Sequence, residues 1–289
     1  MEYCLDREIL YYSTLGTSAF SFFGSLTVVV IFIKLRKMQT YSLRLLFYIS
    51  LSDLIRAIGL SVPCFYLRNQ IIIRTVAFMI RTGNLSSPIW AIAISNALYK
   101  VAINGTQKFE RHHRFFMILT AIVLLSSVGI SFLDVYTNIG SSCTFEDTFI
   151  GNVLRYGTLL VPEWILLLYT AFAYYKIHKK IKAVKLALGK TEAIKRLFVF
   201  SMIIFLSCLP LSITRIIQLF NIKSCYVSYA STIAFGIYAL RGFINAFAYI
   251  WAFRLFLVFA NTEKLFLRTS SANSAGTEST NLLFESFSN

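Results

Sequence analysis

The sequence predicts an all-α membrane protein, a bundle of seven transmembrane helices. The first observation behind this prediction is a set of seven apolar stretches, each about as long as the roughly 20 residues that cross a bilayer core. The second observation is the composition: a hydrophobic fraction of 57% with a mean hydropathy of +0.67 excludes an ordinary soluble domain. The apolar runs are also continuous. In lipid, continuous runs of this length pair their backbone groups only as helices.

The predicted spans are numbered 1 to 7 in chain order, and short connectors separate them. They are Ile9–Ile33, Leu43–Leu67, Val76–Val101, Phe115–Val135, Leu154–Ile177, Arg196–Phe220 and Val227–Trp251. The first run is long enough to span and has no basic segment before it, so we expect span 1 rather than a cleaved signal peptide.

The distribution of charge predicts the topology. The net charge is +15, and Lys and Arg are concentrated in the connectors after spans 1, 3, 5 and 7. Basic residues accumulate in short cytoplasmic connectors, so the N-terminus should lie outside and the C-terminus in the cytoplasm. These basic connectors are then expected to contact the lipid bilayer and an acidic or helical protein partner. The basic charge therefore does not predict binding to nucleic acid.

Two regions are predicted. Residues 1–268 form the membrane domain, which ends in a short amphipathic helix over Arg254–Arg268, and residues 269–289 form a disordered cytoplasmic tail rich in Ser, Thr and Asn.

The cysteines indicate a disulfide at the outer face. Cys4, Cys64, Cys143 and Cys225 fall at or near the face predicted to be oxidising. Cys143, in the longest outer loop, is the expected participant, and its partner is Cys64, Cys225 or Cys4. Sequence alone cannot choose among the pairings. The alternative is that all five cysteines are reduced packing residues.

Several local patterns, in order and spacing, resemble the cyclic-AMP-receptor-like family of G-protein-coupled receptors. The resemblance covers nearly all of Leu43–Phe256. Its motifs are Ser52–Leu54, Trp90–Tyr99, Lys108–Arg111, Cys208–Pro210, Thr214–Ile216 and Gly242–Tyr249.

This resemblance implies a plasma-membrane receptor that passes the signal of an extracellular small-molecule ligand to a heterotrimeric G protein. The expected G-protein contacts are Lys108, Arg111, Lys179, Lys180, Lys195 and Arg196. One departure concerns the disulfide. The family's usual cysteine near the outer end of span 3 is missing from Ile71–Arg81, so Cys143 needs another partner.

Polar residues inside the spans form the predicted switch. Asp53 lies three residues before Arg56, and Arg241 lies four before Asn245, so each pair shares a helix face. Because the resemblance makes spans 2 and 7 neighbours, we expect an Asp53–Arg241 or Asp53–Asn245 contact, with Tyr249 one turn nearer the cytoplasm. Such a contact is either a switch or a static buried ion pair.

Pro210 should kink span 6, because proline removes a backbone hydrogen bond. The kinked span is either a lever with a basic inner end or merely a bent helix.

The outer half of the bundle is predicted to bind the ligand. Arg81, Arg215 and Arg241 against Glu163 give a positive cavity that suits a small anion, since arginine favours carboxylate and phosphate. Alternatively, these arginines reach lipid headgroups or pair with Glu163. A cyclic nucleotide, another anion and a peptide all remain open.

Other functions fit the sequence less well. A retinal protein needs a lysine in Val227–Trp251, where there is none, and the histidines lie in basic connectors rather than in a metal-binding cluster. Neither a nucleophilic triad nor a phosphate-binding loop is evident, so we expect no enzymatic activity, cofactor or metal. A transporter of a small anionic solute is the alternative, because intramembrane charges also mark substrate paths.

Overall fold

The protein is almost entirely helical. The computed structural model describes residues 7–34, 41–104, 110–132, 136–139, 142–145, 148–184, 188–220 and 224–251. The helices are α1 (Arg7–Lys34), α2 (Tyr41–Leu60), α3 (Gln70–Asn104), α4 (Glu110–Ser131), α5 (Phe149–Arg155), α6 (Val161–Val184), α7 (Leu188–Leu219), α8 (Cys225–Ala239) and α9 (Arg241–Trp251). Strands β1 (Tyr136–Ile139) and β2 (Ser142–Phe145) form a hairpin. The predicted helix over 254–268 and the tail over 269–289 lie outside the described residues.

Helices α3, α4 and α7 begin earlier than the predicted spans 3, 4 and 6, and spans 2, 5 and 7 differ in their course. Span 2 ends at Leu60 instead of Leu67, because Pro63 disfavours helix and is followed by a 3₁₀ turn over Cys64–Tyr66. Span 5 begins earlier, at α5, where the Thr148 hydroxyl accepts the Gly151 N–H. A π-helical turn over Tyr156–Leu160 then joins α5 to α6.

The π-helical turn ends at Leu160, two residues before Pro162. A proline cannot donate to the preceding turn, and its ring crowds the carbonyl four residues back. Widening the helix over Tyr156–Leu160 accommodates both effects, as single π turns do elsewhere.

Span 7 is broken into α8 and α9, whose axes differ by 40°. The break has a local cause. The Gly242 N–H donates to Ser21 Oγ of α1 at 3.1 Å, so this hydroxyl takes the donor that a continuous helix would use.

Within the described residues, three stretches are long and apolar enough to cross a membrane: Glu8–Lys34, His112–Ser131 and Phe149–Lys179. The bent pair α8–α9 makes four if it counts as one span. Helix α2 falls short because its 20 residues include Arg44, Asp53 and Arg56.

Helix α3 is the centre of the packing and contacts α2, α4, α6 and α7. Its residue Trp90 is 2% exposed and stacks on Tyr48 of α2, with the ring centroids 4.3 Å apart. These rings belong to the larger core, which also includes Phe200 of α7 and Tyr249 of α9.

A smaller core lies under the hairpin. Tyr136 and Phe145 are paired across the strands and their rings stack 4.8 Å apart. Cys143 of β2 forms a disulfide with Cys64, with Cα atoms 5.4 Å apart, so Cys64 is the partner that the sequence left open. Cys225 is also disulfide-bonded, whereas Cys208 is free and buried. The disulfide fixes the hairpin to the chain just before α3.

We predict that Gly242→Ala destabilises the protein by about 1–3 kcal/mol, since a side chain here overpacks the α1–α9 contact. A Cβ at Gly242 would collide with the Ser21 and Ser25 hydroxyls. Gly236→Ala is the matched control, because its Cβ would meet only Thr17 Cγ2, at 3.8 Å. Melting temperatures of the two purified variants should differ. Equal values would mean that the close approach is not a packing constraint.

Candidate functional site

Asp53 is the centre of a buried charged cluster. Its Oδ1 accepts hydrogen bonds from Arg241 Nε at 3.1 Å and Arg241 Nη2 at 3.0 Å, and its Oδ2 accepts from Asn245 Nδ2 at 2.9 Å. Asp53 and Arg241 are 0% exposed and Asn245 is 2% exposed. Both contacts considered from the sequence are therefore present, and they tie α2 to α9.

A second arginine joins the cluster. Arg56 Nη2 lies 3.5 Å from Asp53 Oδ1, and the Arg56 guanidinium nitrogens have no hydrogen-bond partner among the described residues. The Cζ atoms of Arg56 and Arg241 each lie 4.9 Å from the centroid of the Tyr238 ring. The aromatic ring thus stabilises two buried cations, since cation–π attraction strengthens on desolvation.

Glu163 of α6 supplies the second negative charge. It interacts electrostatically with Arg241 and Arg56 and contacts the Cys208 thiol. Cys208 in turn lies 3.5 Å from Arg241 Nη1. Glu163 therefore reaches the cluster through Cys208, and Asp53 is the carboxylate paired with the two guanidiniums, which limits the cost of several kcal/mol for each buried ion.

A cavity of about 130 Å³ lies between this cluster and the hairpin. Its lining comes from α2, α3, α5, the π-helical turn, α6, α7, α8 and the hairpin. Tyr238 and Glu163 line it from the side of the cluster. The other polar residues of the lining include Arg81, Asn84, Tyr136, Arg155, Ser212 and Arg215.

Arg81 lies beneath the hairpin. It is 4% exposed, and its Cζ lies 5.6 Å from the centroid of the Phe145 ring. Burial raises the pKa of the neighbouring Tyr136, while the Arg81 charge opposes that rise. Tyr136 therefore stays a neutral phenol at physiological pH, and it does not neutralise Arg81.

Of the four predicted ligand contacts, the structure brings three together. Arg81, Glu163 and Arg215 line the cavity, whereas Arg241 points to Asp53 and is not part of the lining. Their role in binding a ligand stays a prediction.

The predicted switch residues lie in or near the cluster. Pro210 is inside α7, two residues after Cys208, and Tyr249 is buried one turn from Asn245 on α9. Whether they act as a switch stays a prediction.

The side chains of most predicted G-protein contacts lie outside the part of the chain that the structure describes. Lys179 is exposed on α6, far along the helix from Glu163. Lys108 lies outside the described residues, as do the side chains of Arg111, Lys180, Lys195 and Arg196.

Sequence reasoning missed two residues of the site. Tyr238 lies three residues before Arg241, and an aromatic residue one turn from a buried cation was an available signal. Arg155 falls at the start of predicted span 5 and was not assigned to the site, but it lines the cavity, where it donates to the Phe145 carbonyl and to Asn152 Oδ1.

We predict that Asp53→Asn destabilises the protein by about 3–5 kcal/mol, because it leaves buried guanidiniums without their main counter-charge. Arg241→Gln should also destabilise. The double variant should lose less than the sum of the two, by about 0.5–3 kcal/mol. Thermal unfolding of the purified protein measures the three losses, with exposed Arg68→Gln as the control. Additive losses would contradict direct coupling between the two residues.

The chain was compared with known proteins. No family model matches it. It is 23% identical to G-protein coupled receptor 1 of Arabidopsis thaliana over 193 residues, which is 65% of this chain and 58% of that protein. It is 31% identical to Cyclic AMP receptor-like protein A of Dictyostelium discoideum over 166 residues, which is 56% of this chain and 42% of that protein. The chain thus spans about half the length of these relatives. The names of these two relatives agree with the family that the sequence motifs indicated. The resemblance of this chain to the cyclic-AMP-receptor-like family of G-protein-coupled receptors is thus confirmed.

Proposed function

We propose that this chain is a seven-span G-protein-coupled receptor of the plasma membrane. It binds a small anionic extracellular ligand and transmits the signal to a heterotrimeric G protein. The observation that carries the proposal is that the cavity and the Asp53 cluster share Glu163 and Tyr238. A ligand in the cavity therefore lies directly beside the charges that hold α2 and α9 together.

The burial of charge supports seven spans. Asp53 and Arg56 of α2 are fully buried, and Arg81 of α3 is 4% exposed. Their charges face the protein interior, where membrane proteins tolerate ionisable groups. Helices α2 and α3 can then cross the bilayer despite their polar residues, as can α7 and the joined pairs α5–α6 and α8–α9.

The disulfides support an extracellular position for the hairpin. Cys64, Cys143 and Cys225 are all oxidised; the first two lie in connectors between helices, and Cys225 is the first residue of α8. Disulfides persist in oxidising compartments, and the basic connectors are at the opposite end. The N-terminus is then outside and the C-terminus is in the cytoplasm.

The ligand acts by preferring one of two arrangements of the bundle, since only differential affinity shifts such an equilibrium. Cys208 connects α7 to Arg241, and Pro210 follows it within one turn. A change at Glu163 or Arg241 is thus passed to α7, whose far end carries the basic residues proposed to meet the G protein.

A transporter of a small anionic solute is the alternative, because buried charges beside a cavity also fit a substrate path. The two functions differ in one property. Signalling by a receptor requires a guanine-nucleotide-binding partner, whereas uptake by a transporter does not.

We predict ligand-dependent guanine-nucleotide exchange on a co-expressed heterotrimeric G protein, in membranes that contain this chain and receive a panel of small anions including cyclic AMP. Arg215→Ala and Glu163→Ala should each reduce the response at unchanged surface expression, because both residues line the cavity. Ile213→Ala is the control on the same helix, since its side chain is 45% exposed.

Normal responses from both cavity variants would show that the ligand binds elsewhere. Uptake of a labelled anion without any nucleotide exchange would favour the transporter instead.

A further inference from the structure

Rings from three helices meet at the basic end of the bundle. Tyr48 of α2 stacks on Trp90 of α3, and the His113 ring of α4 lies 5.7 Å from the Tyr48 ring and 5.9 Å from the Trp90 ring. The ring of Tyr41, at the start of α2, is also 5.9 Å from His113. Helices α2 and α4 therefore border each other here, and Trp90 of α3 forms the floor between them.

The two sides of this contact continue as partly exposed apolar faces. Leu51 and Ile58 lie two turns apart on the side of α2 that carries the tyrosine rings, and they are 37% and 39% exposed. On α4, Met117 and Leu124 share the face of His113 and are 43% and 39% exposed. We call the strip between these two faces the α2–α4 groove. In a chain that lies in a membrane, such exposed apolar faces contact lipid.

Three cations lie at the basic end of the α2–α4 groove. Arg44 of α2 is exposed and acts electrostatically on His113. Arg114, the next residue of α4, is exposed as well. Lys100 of α3 donates to Nε2 of His112, which uses one of the three N–H donors of its ammonium group. The positive charge thus comes from all three helices that meet at the rings.

No described carboxylate lies at this end of the groove. The carboxylates among the described side chains are Glu8 at the start of α1 and the buried Asp53 and Glu163. Exposed cations beside an apolar face suit an anionic lipid headgroup. A phosphomonoester carries about −1.5 to −2 charge at pH 7 and three acceptor oxygens, so it serves several cations at once. Guanidinium donors match phosphate oxygens in geometry as well.

From this continuity of charge and apolar surface we infer that one phospholipid with a phosphomonoester headgroup binds in the α2–α4 groove. Its phosphate lies between Arg44 and Arg114, with Lys100 as a third donor, and its acyl chains lie along Leu51 and Met117. The inference goes beyond the proposed function and does not rest on it. A receptor and a transporter would bind this lipid equally well, because the groove needs only a surrounding bilayer.

The test is native mass spectrometry of the full chain purified in detergent, which counts bound lipids and gives their dissociation constants. Phosphatidylinositol 4-phosphate is compared with phosphatidylinositol, which lacks the phosphomonoester, and with phosphatidylserine and phosphatidylcholine. We expect one tightly bound phosphatidylinositol 4-phosphate per chain. It should bind about tenfold or more tightly than each of the other lipids, since hydrogen bonds to charged groups are involved.

Matched double variants locate the site. Arg44→Gln with Arg114→Gln should weaken phosphatidylinositol 4-phosphate about tenfold or more, because it removes both guanidiniums at the groove. Lys176→Gln with Lys179→Gln is the control, since it removes the same charge from exposed positions on α6. The control should bind the lipid as the wild-type chain does. All four positions are exposed, and the lipid series on the unaltered chain gives an independent result if a variant does not fold.

Equal binding of phosphatidylinositol 4-phosphate and phosphatidylinositol overturns the inference, as does equal weakening by the two double variants, which would indicate diffuse attraction. Binding of the soluble headgroup, inositol 1,4-bisphosphate, as tight as that of the lipid would show a phosphate site without a role for the apolar faces. Unchanged lipid binding by the groove variant also overturns it. A dimer or a nucleotide exchange lost in that variant would then assign the groove to a second copy or to the G protein.

Discussion

The buried carboxylate of Asp53 is the constraint on which the arrangement of the bundle depends. A charge with no exposed surface must be neutralised within the protein, and here three donor groups from α9 do so. Those bonds fix the position of α9 against α2. They also bring Arg241 beside Cys208 of α7 and Tyr238 of α8, so four helices meet around one carboxylate.

Two glycines make this meeting possible. A Cβ on Gly242 would collide with α1, and a Cβ on Gly83 of α3 would lie 2.5 Å from Arg56 Cβ. The backbones therefore approach closely on both sides of the charged cluster. The disulfide holds the hairpin over the cavity that lies beside the cluster. Several polar atoms of the cavity lining have no hydrogen-bond partner among the described residues. Under the proposed function, a ligand bound between the disulfide-bonded hairpin and the charged cluster would contact residues of that cluster.

Much of this arrangement could be predicted from the sequence. Apolar runs placed the long helices. The spacing of Arg241 and Asn245 put them on one helix face, and the family resemblance, which makes spans 2 and 7 neighbours, indicated their contact with Asp53. The breaks were not predicted, because hydropathy does not register a hydroxyl from another helix that captures the Gly242 N–H. Four outer cysteines allow several pairings, so the Cys64–Cys143 bond needed the fold. The place of Arg155 in the cavity lining could not be predicted either, because it depends on α5, which begins before the predicted span 5.

We propose that the Asp53 cluster controls the active arrangement of the bundle, and Asn245→Ala changes that cluster at a single hydrogen bond. This change removes the bond to Asp53 Oδ2 and leaves the ion pair with Arg241 intact. Ligand-free guanine-nucleotide exchange, normalised to the folded receptor in the membrane, is the measurement. We expect basal exchange to rise, because α9 is held less firmly against α2. Basal and stimulated exchange equal to those of the wild-type chain would contradict the claim and leave the cluster a static packing element.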